Sequence, residues 1–213
     1  MLIDLHTHTY PMSDDSLLSP TELVLRAKAA GLDGICLTEH DWYWSHEAAE
    51  QLAREHNFVV IPAVETNTED GHMIVFGIEA FRFGMHRVSF LREMVGEADN
   101  GFMVLAHPFR RNFYSQDDID AAVDKLLLNP VFENIDTIES LNGRGRPRQN
   151  EFAQALAKRL GWKGVGGSDT HEPKDVGTCA TEFERPVRNL EELVRELRAG
   201  RYHPVDLRPN EKR

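Results

Sequence analysis

Positive charge is in short supply in this chain: 24 Lys and Arg stand against 35 Asp and Glu, a formal net charge of −11. That surplus repels the backbone of a long nucleic acid and the anionic face of a membrane, which argues against both as partners. A small or chain-end phosphate still fits wherever a local cation reverses the field. Cysteine is nearly absent too. Cys36 and Cys179 lie far apart among apolar or small residues and read as packed small hydrophobes, not a disulfide framework. No apolar run approaches the length that crosses a bilayer, and no basic segment leads into an apolar one at the N-terminus, which predicts a soluble, cytoplasmic protein. Linkers, low-complexity stretches and internal repeats are missing, so residues 1–213 are expected to form one domain around one sizeable core.

What is present is alternation. Short apolar runs, expected as strands, cover Leu2 to His6, Gly34 to Thr38, Phe58 to Val64, Met73 to Ile78, Phe102 to Ala106, Thr137 to Leu141 and Lys163 to Gly166. Helical periods separate them. "SPTELVLRAKAAG" offers Ser19 as N-cap, Pro20 at the first helical position, Glu22 as capping-box partner and Gly31 as the stop. Further helices are expected near Ser45 to Glu55, Arg87 to Ala98, Gln116 to Leu128, Pro147 to Leu160 and Asn189 to Ala199. The order predicts an α/β fold with a mostly parallel sheet, closed as a barrel or open and doubly wound. The final "DLRPNEKR" reads as a solvated tail.

The polar residues fall where such a fold collects ligands. His6 and His8 follow the first strand, Glu39, His40 and Asp41 the second, Glu65 the third and His107 the run "FMVLA"; Glu139 and Asn142 end "TIESLN", and Asp169 and His171 follow "KGVGG". Those ends converge on one face in a parallel α/β architecture. So many imidazoles and carboxylates around one point are poorly solvated unless cations sit among them. His-x-His on an extended chain points both rings to one side, and imidazole with carboxylate suits zinc, manganese or iron better than calcium. The donors outnumber what one tetrahedral ion uses, so more than one divalent ion is expected, with a carboxylate such as Glu65 bridging. A lone His-x-His or "SDTH" carries little; their joint occurrence carries the inference. His46, His56, His86 and His203 are expected on the surface. Gly164, Gly166 and Gly167 lack the Lys-Ser/Thr of a phosphate loop and are expected to allow close backbone approach beneath "SDTH". Trp42, Tyr43 and Trp44 read either as core or as an aromatic lip of a substrate pocket, with at least one of them expected in the core.

"DLHTHTYPMSDDSLLSP", "GICLTEHD", "IPAVE", "GHMIVFGI", "LAHP" and "GGSDTH", in this order, resemble the successive motifs of the PHP (polymerase and histidinol phosphatase) family of metal-dependent phosphoesterases, from about residue 3 to residue 177. The resemblance implies a distorted seven-stranded β/α (TIM-like) barrel. It also implies three metals: His6, His8, Glu65 and Asp169 on one ion, Glu65, His72 and His107 on a second, and Asp15, placed by its distance to "LSP" beside Asp14, with His40 and His171 on a third. "HPFRR" and "NGRGRPR" supply Arg110, Arg111, Arg144 and Arg146 near these motifs, with Arg110 and Arg144 the better candidates for a phosphate oxygen. The expected activity is hydrolysis of a small phosphate monoester or nucleotide by metal-activated water. Nuclease-like trimming of oligonucleotide ends and a non-catalytic scaffold are the alternatives. An amidohydrolase also opens on His-x-His, but no lysine is placed for carbamylation at a strand end. Oligomeric state is not expressed in these features.

Overall fold

The computed structural model describes residues 1–208. Strands β1 (Leu2–Thr7), β2 (Gly34–Leu37) and β3 (Val59–Pro62) alternate with helices α1 (Pro20–Ala29) and α2 (His46–His56). β4 (Val64–Thr68) and β5 (Gly71–Phe76) form a hairpin. Then come α3 (Val88–Glu97), β6 (Phe102–Leu105), α4 (Ile119–Leu126), β7 (Thr137–Asn142), α5 (Pro147–Leu160), β8 (Val165–Gly167), β9 (Cys179–Phe183), α6 (Leu190–Arg198) and β10 (Tyr202–Asp206). Every expected helix is present. Ser19 caps α1 by accepting from the Glu22 N–H at 3.2 Å, and Gly31, at φ +83°, lets the chain turn away. The other half of the expected capping box is not made: the Glu22 carboxylate pairs with Arg26 one turn on.

The strands form two five-stranded sheets, ordered β10-β9-β1-β2-β3 and β4-β5-β6-β7-β8, in place of the expected closed seven-stranded barrel. The expected third strand, Phe58 to Val64, is divided at Ala63, so that β3 belongs to one sheet and β4 to the other. β5 runs antiparallel to both its neighbours, and β9 is antiparallel to β1 and β10. Nor is the end of the chain a free tail up to residue 208. Asp206 closes β10, and Arg208 bonds to Asp206 and to the carbonyl of Gly145 at 3.1 Å; residues 209–213 lie outside the described residues.

The sheets meet at one end. Isolated bridges join Thr7 to Thr170 and His40 to Glu65. Asp169 N–H donates to the His6 carbonyl at 2.9 Å, and Glu65 N–H to that of Glu39 at 3.0 Å. Ile3, Leu5, Cys36 and Ile61 from the first sheet share a core with Ile74, Val104 and Val165 from the second, and α6 packs Leu193, Val194 and Leu197 into it. α1 and α2 cover the first sheet through Leu23, Val24, Leu52 and Ile35. A larger cluster seats helices on the second sheet, with Phe152 of α5 stacked on Phe113 at 4.8 Å. Cys36 and Cys179 are buried free thiols, as expected. Among the described residues, no helix is long and apolar enough to cross a membrane.

Candidate metal centre

The end where the sheets meet is also where the polar residues gather. His6 lies in β1 and His8 just past it; His40 follows β2; Glu65 lies in β4, His72 in β5; His107 follows β6, and Asp169 and His171 follow β8. Glu65 therefore lies within a strand that overhangs this rim, not after one as expected. His72 reaches the same rim because β5 is reversed and starts where its neighbours end. All nine residues nominated as ligands come together. Glu65 is the hub: Oε1 lies 2.9 Å from His72 Nδ1 and from His107 Nε2, and Oε2 lies 3.0 Å from His40 Nδ1, 3.3 Å from His8 Nε2 and 3.4 Å from His6 Nε2. Donor atoms of His8, His40 and His171 form one compact group, and Asp15 Oδ2 joins it at 3.5 Å from His40 and 3.0 Å from His171. Asp14 is exposed and belongs to none of these groups.

The fit to a metal is tested by unpaired atoms. His6 Nε2, His8 Nε2, Glu65 Oε2 and Asp169 Oδ1 are fully buried with no hydrogen-bond partner among the described residues, the close Glu65–His40 contact not being aligned as one. Leaving such atoms bare is costly. They face one another: both imidazole nitrogens lie 3.3–3.4 Å from Glu65 Oε2 and 3.6–3.7 Å from Asp169 Oδ1. Two ligands on a tetrahedral ion with bonds near 2.0–2.1 Å are separated by about 3.3–3.4 Å. The donor atoms of His6, His8 and Glu65 thus lie close enough together for one divalent ion, with Asp169 Oδ1 beside both imidazoles, and the groups His6–His107–Asp169, His40–Glu65–His72 and His8–His40–His171 leave donors for more than one.

Other partners aim these atoms. Glu139 Oε1 holds His6 Nδ1 at 3.0 Å, turning Nε2 inward; its Oε2 accepts from the His107 N–H at 2.8 Å and from Asn142 Nδ2 at 2.9 Å. That bond fixes His107 at φ +27°, a conformation costly for a residue with a Cβ. Ser13 Oγ stands 3.3 Å from His8 Nδ1 and donates to Glu39 Oε2 at 2.7 Å. Glu39, which sequence position placed among the converging groups, is instead saturated by Thr9, Ser13 and Trp44 Nε1, and holds the loop that carries His8 and His40. Trp44 and Tyr43 are half-buried against the cores, and Trp42 is exposed. Arg110 pairs with Asp169 Oδ2. Arg144 is exposed, and its charge acts on Glu172 and Lys174, which follow His171 in the chain. Arg111 ties the β4–β5 turn through the Thr68 carbonyl. His46 and His203 pair with Glu79 and Glu182, away from the centre.

Without metal, the charges compensate one another. Burial alone would depress the His6 imidazole, but Glu65, Glu139 and Asp169 hold it well above its usual value. Burial and the neighbouring His6, His40 and His171 push His8 well below its own. Burial opposes ionisation of Glu65 and Asp169 as well, yet the surrounding imidazoles, with Arg110 at Asp169, keep both carboxyls below the usual range. Asp4 went unnoticed in the sequence. It accepts from the N–H groups of His6 at 3.1 Å and Ser168 at 2.9 Å, joining the two ligand-bearing segments, and burial pushes it up to about 7.

The glycines beneath "SDTH" behave as expected. A Cβ on Gly167 would stand 2.5 Å from His6 Cβ and 2.9 Å from Glu139 Oε1. Gly167→Ala is therefore expected to displace His6, destabilise the fold by about 1–3 kcal/mol and lower bound metal. Thermal melting and elemental analysis check this, and a variant with wild-type metal content would refute the tight approach.

The sequence profile of the PHP domain matches residues 4–171, and a PHP-associated profile matches residues 147–202. A 5'-3' exoribonuclease of Haemophilus influenzae is 42% identical over 65 residues, 30% of this chain but only 23% of that enzyme. An uncharacterized protein of Methanocaldococcus jannaschii is 26% identical over 204 residues, 88% of each chain. Among solved structures, a two-domain Bacteroides vulgatus protein described as containing a PHP-like metal-dependent phosphoesterase superposes with TM-score 0.62 at 18% identity, over 97% of this chain and 64% of that one. An amidohydrolase of Chromobacterium violaceum superposes with TM-score 0.63 at 22% identity over 99% of both. Identities this low establish a shared fold and no more. The profile match spans most of the chain and includes every residue whose bare donor atom faces the central point, and on that match the chain belongs to the PHP domain family.

Proposed function

We propose that this protein is a metal-dependent phosphoesterase that hydrolyses a small phosphate monoester or nucleotide at a site of two or three zinc, manganese or iron ions. The observation that carries the reading is the cluster of four bare, buried donor atoms, with Glu65 Oε2 at 3.3–3.4 Å and Asp169 Oδ1 at 3.6–3.7 Å from both imidazole nitrogens and an arginine beside them. In this reading His6, His8, Glu65 and Asp169 hold one ion, Glu65, His72 and His107 a second, and Asp15, His40 and His171 a third. The chemistry such ions supply is a water acidified toward neutrality, as nucleophile, and positive charge against the phosphoryl oxygens. Glu65, which directs Oε1 at His72 and His107 and Oε2 at His6 and His8, would contribute to both of the first two ions, whose positive charge would acidify the water that serves as nucleophile. Arg110 is 38% exposed and is held to Asp169 through one nitrogen, so its other N–H groups are available to a phosphoryl oxygen. Arg144 offers a second cation at the His171 edge.

His8→Ala and Asp169→Ala are expected to lose metal and turnover of a phosphate-ester panel while keeping a native circular dichroism spectrum. Full phosphatase activity in either variant would overturn the assignment. The exoribonuclease match supports a second reading, trimming of oligonucleotide ends, against which the net charge of −11 counts. Oligonucleotides and amides in the same panel separate these activities. Oligonucleotide hydrolysis with a steep salt dependence would favour trimming, and absence of bound metal after manganese or zinc loading would favour a scaffold.

A further inference from the structure

Beside the metal centre the surface opens sideways. A recess of about 50 Å³ lies against His72, His107 and Arg110, and it shares Arg111 and Asn112 with a cavity of about 650 Å³. Arg111 and Asn112 line both, so the cavity lies beside the recess that two candidate ligands border. The cavity far exceeds the needs of a phosphoryl group and lies in the range that holds small organic molecules, roughly 300–1,000 Å³.

Its walls are chemically defined. Tyr114 is 62% exposed and lines the cavity, and its backbone N–H donates to Asp117 Oδ2 at 2.7 Å, which ties the turn that carries the ring. Asp118, the other carboxylate in the lining, accepts from the Ala121 N–H at 2.9 Å and caps α4. The Lys125 ammonium, also in the lining, has neither a hydrogen bond nor an ion pair among the described residues. Ala121, Ala122 and Leu126 make an apolar floor. Across the opening, Arg111 is pinned to the Thr68 carbonyl and Asn129 to Asp70, which fixes the β4–β5 turn against the mouth. An exposed aromatic face over an apolar floor, with amides and a cation at the edge, suits a flat heteroaromatic ring bearing polar edges.

We propose that this cavity is the leaving-group subsite and receives the base of a nucleoside whose phosphoryl group sits at the metal centre, with Tyr114 as its stacking face. The proposal rests on the phosphoesterase reading and narrows its substrate class. Removing a stacking aromatic costs roughly 1–3 kcal/mol per base, so a change of about tenfold is the scale to look for.

Two measurements test it on the manganese-loaded and the metal-free chain. In the first, the ratio of kcat/KM for 5'-AMP to that for glycerol phosphate falls about tenfold in Tyr114→Ala and recovers in Tyr114→Phe. An unchanged ratio, whether both substrates suffer equally or neither does, overturns the subsite while leaving the phosphoesterase reading in place. In the second, adenosine, which has no phosphate, is titrated into metal-free protein with nuclear magnetic resonance detection. Wild-type binding that weakens about tenfold in Tyr114→Ala supports the subsite even if no phosphate ester is turned over, and adenosine binding indifferent to Tyr114 sinks it.

Discussion

Glu65→Gln is expected to strip the centre of metal and lower kcat/KM by a factor on the order of 10³, beyond the 10–100-fold losses typical when only an outer partner of a ligand is changed. The side chain keeps its size, so packing survives. What disappears is the one negative charge that lies within 3.4 Å of five imidazoles, and an amide N–H group takes the place of an acceptor oxygen. The His6 and His40 imidazoles, both held above their usual value partly by Glu65, should titrate at lower pH in the variant. Elemental analysis reads the metal and histidine resonances the titration. A variant that still binds a full complement of ions would remove Glu65 from the centre.

Chelation should have a comparably large effect on stability. An ion bound only by the native state stabilises it by about 4 kcal/mol at a thousandfold excess over Kd. In a chain of this length that corresponds to roughly 8–16 °C in Tm, at about 2–4 °C per kcal/mol. Activity should vanish with the ion and return on adding manganese or zinc. The pH dependence has a definite sign. His6 is raised above the ordinary imidazole value of 6.5, so its contribution to the metal-free fold is complete below 6.5 and is lost as pH rises through the raised value. His8 is lowered, so its contribution is complete above 6.5 and is lost as pH falls toward the depressed value. Below 6.5 the His8 gain is opposed by Asp4, whose carboxyl, raised to about 7, costs stability as pH rises. Above 6.5 Asp4, His6 and His40 all act in one direction, so metal-free protein should lose stability as pH rises beyond 6.5, whereas the affinity for metal keeps rising with pH because the ion displaces the His6 proton. Scanning fluorimetry across pH, with and without metal, checks both; metal-free protein that gains stability as pH rises above 6.5 would contradict the charge arrangement.

The convergence of the nominated residues was legible because each is tied to a local pattern: His-x-His at the end of an apolar run, a carboxylate and histidine after the next, Asp-x-His after a glycine-rich strand. Asp15 was separable from Asp14 only through its distance to "LSP", and the structure points Asp15 at His40 and His171. The division into two sheets was not legible. Phe58 to Val64 is uniformly apolar, and the transfer of the chain between sheets at Ala63 depends on distant hydrogen-bond partners. β10 was hidden by Pro204, which an edge strand tolerates because its missing N–H faces away from the ladder. The role of Glu39 could not be read either, since a saturated structural carboxylate and a metal ligand look alike in a string of letters. Tyr114 and its cavity arise from a loop with no regular period.

The donor atoms do not all belong to one half of the molecule. His6, His8, Asp15 and His40 are carried by the first sheet and its loops, and Glu65, His72, His107, Asp169 and His171 by the second. An ion held by both is a rivet through a seam, and coordination chemistry sets the gap to tenths of an ångström where side-chain packing alone would tolerate drift. Damage deep in the shared interior, at Ile74 or Val104, would then show itself as a lost ion long before it showed itself as a lost fold.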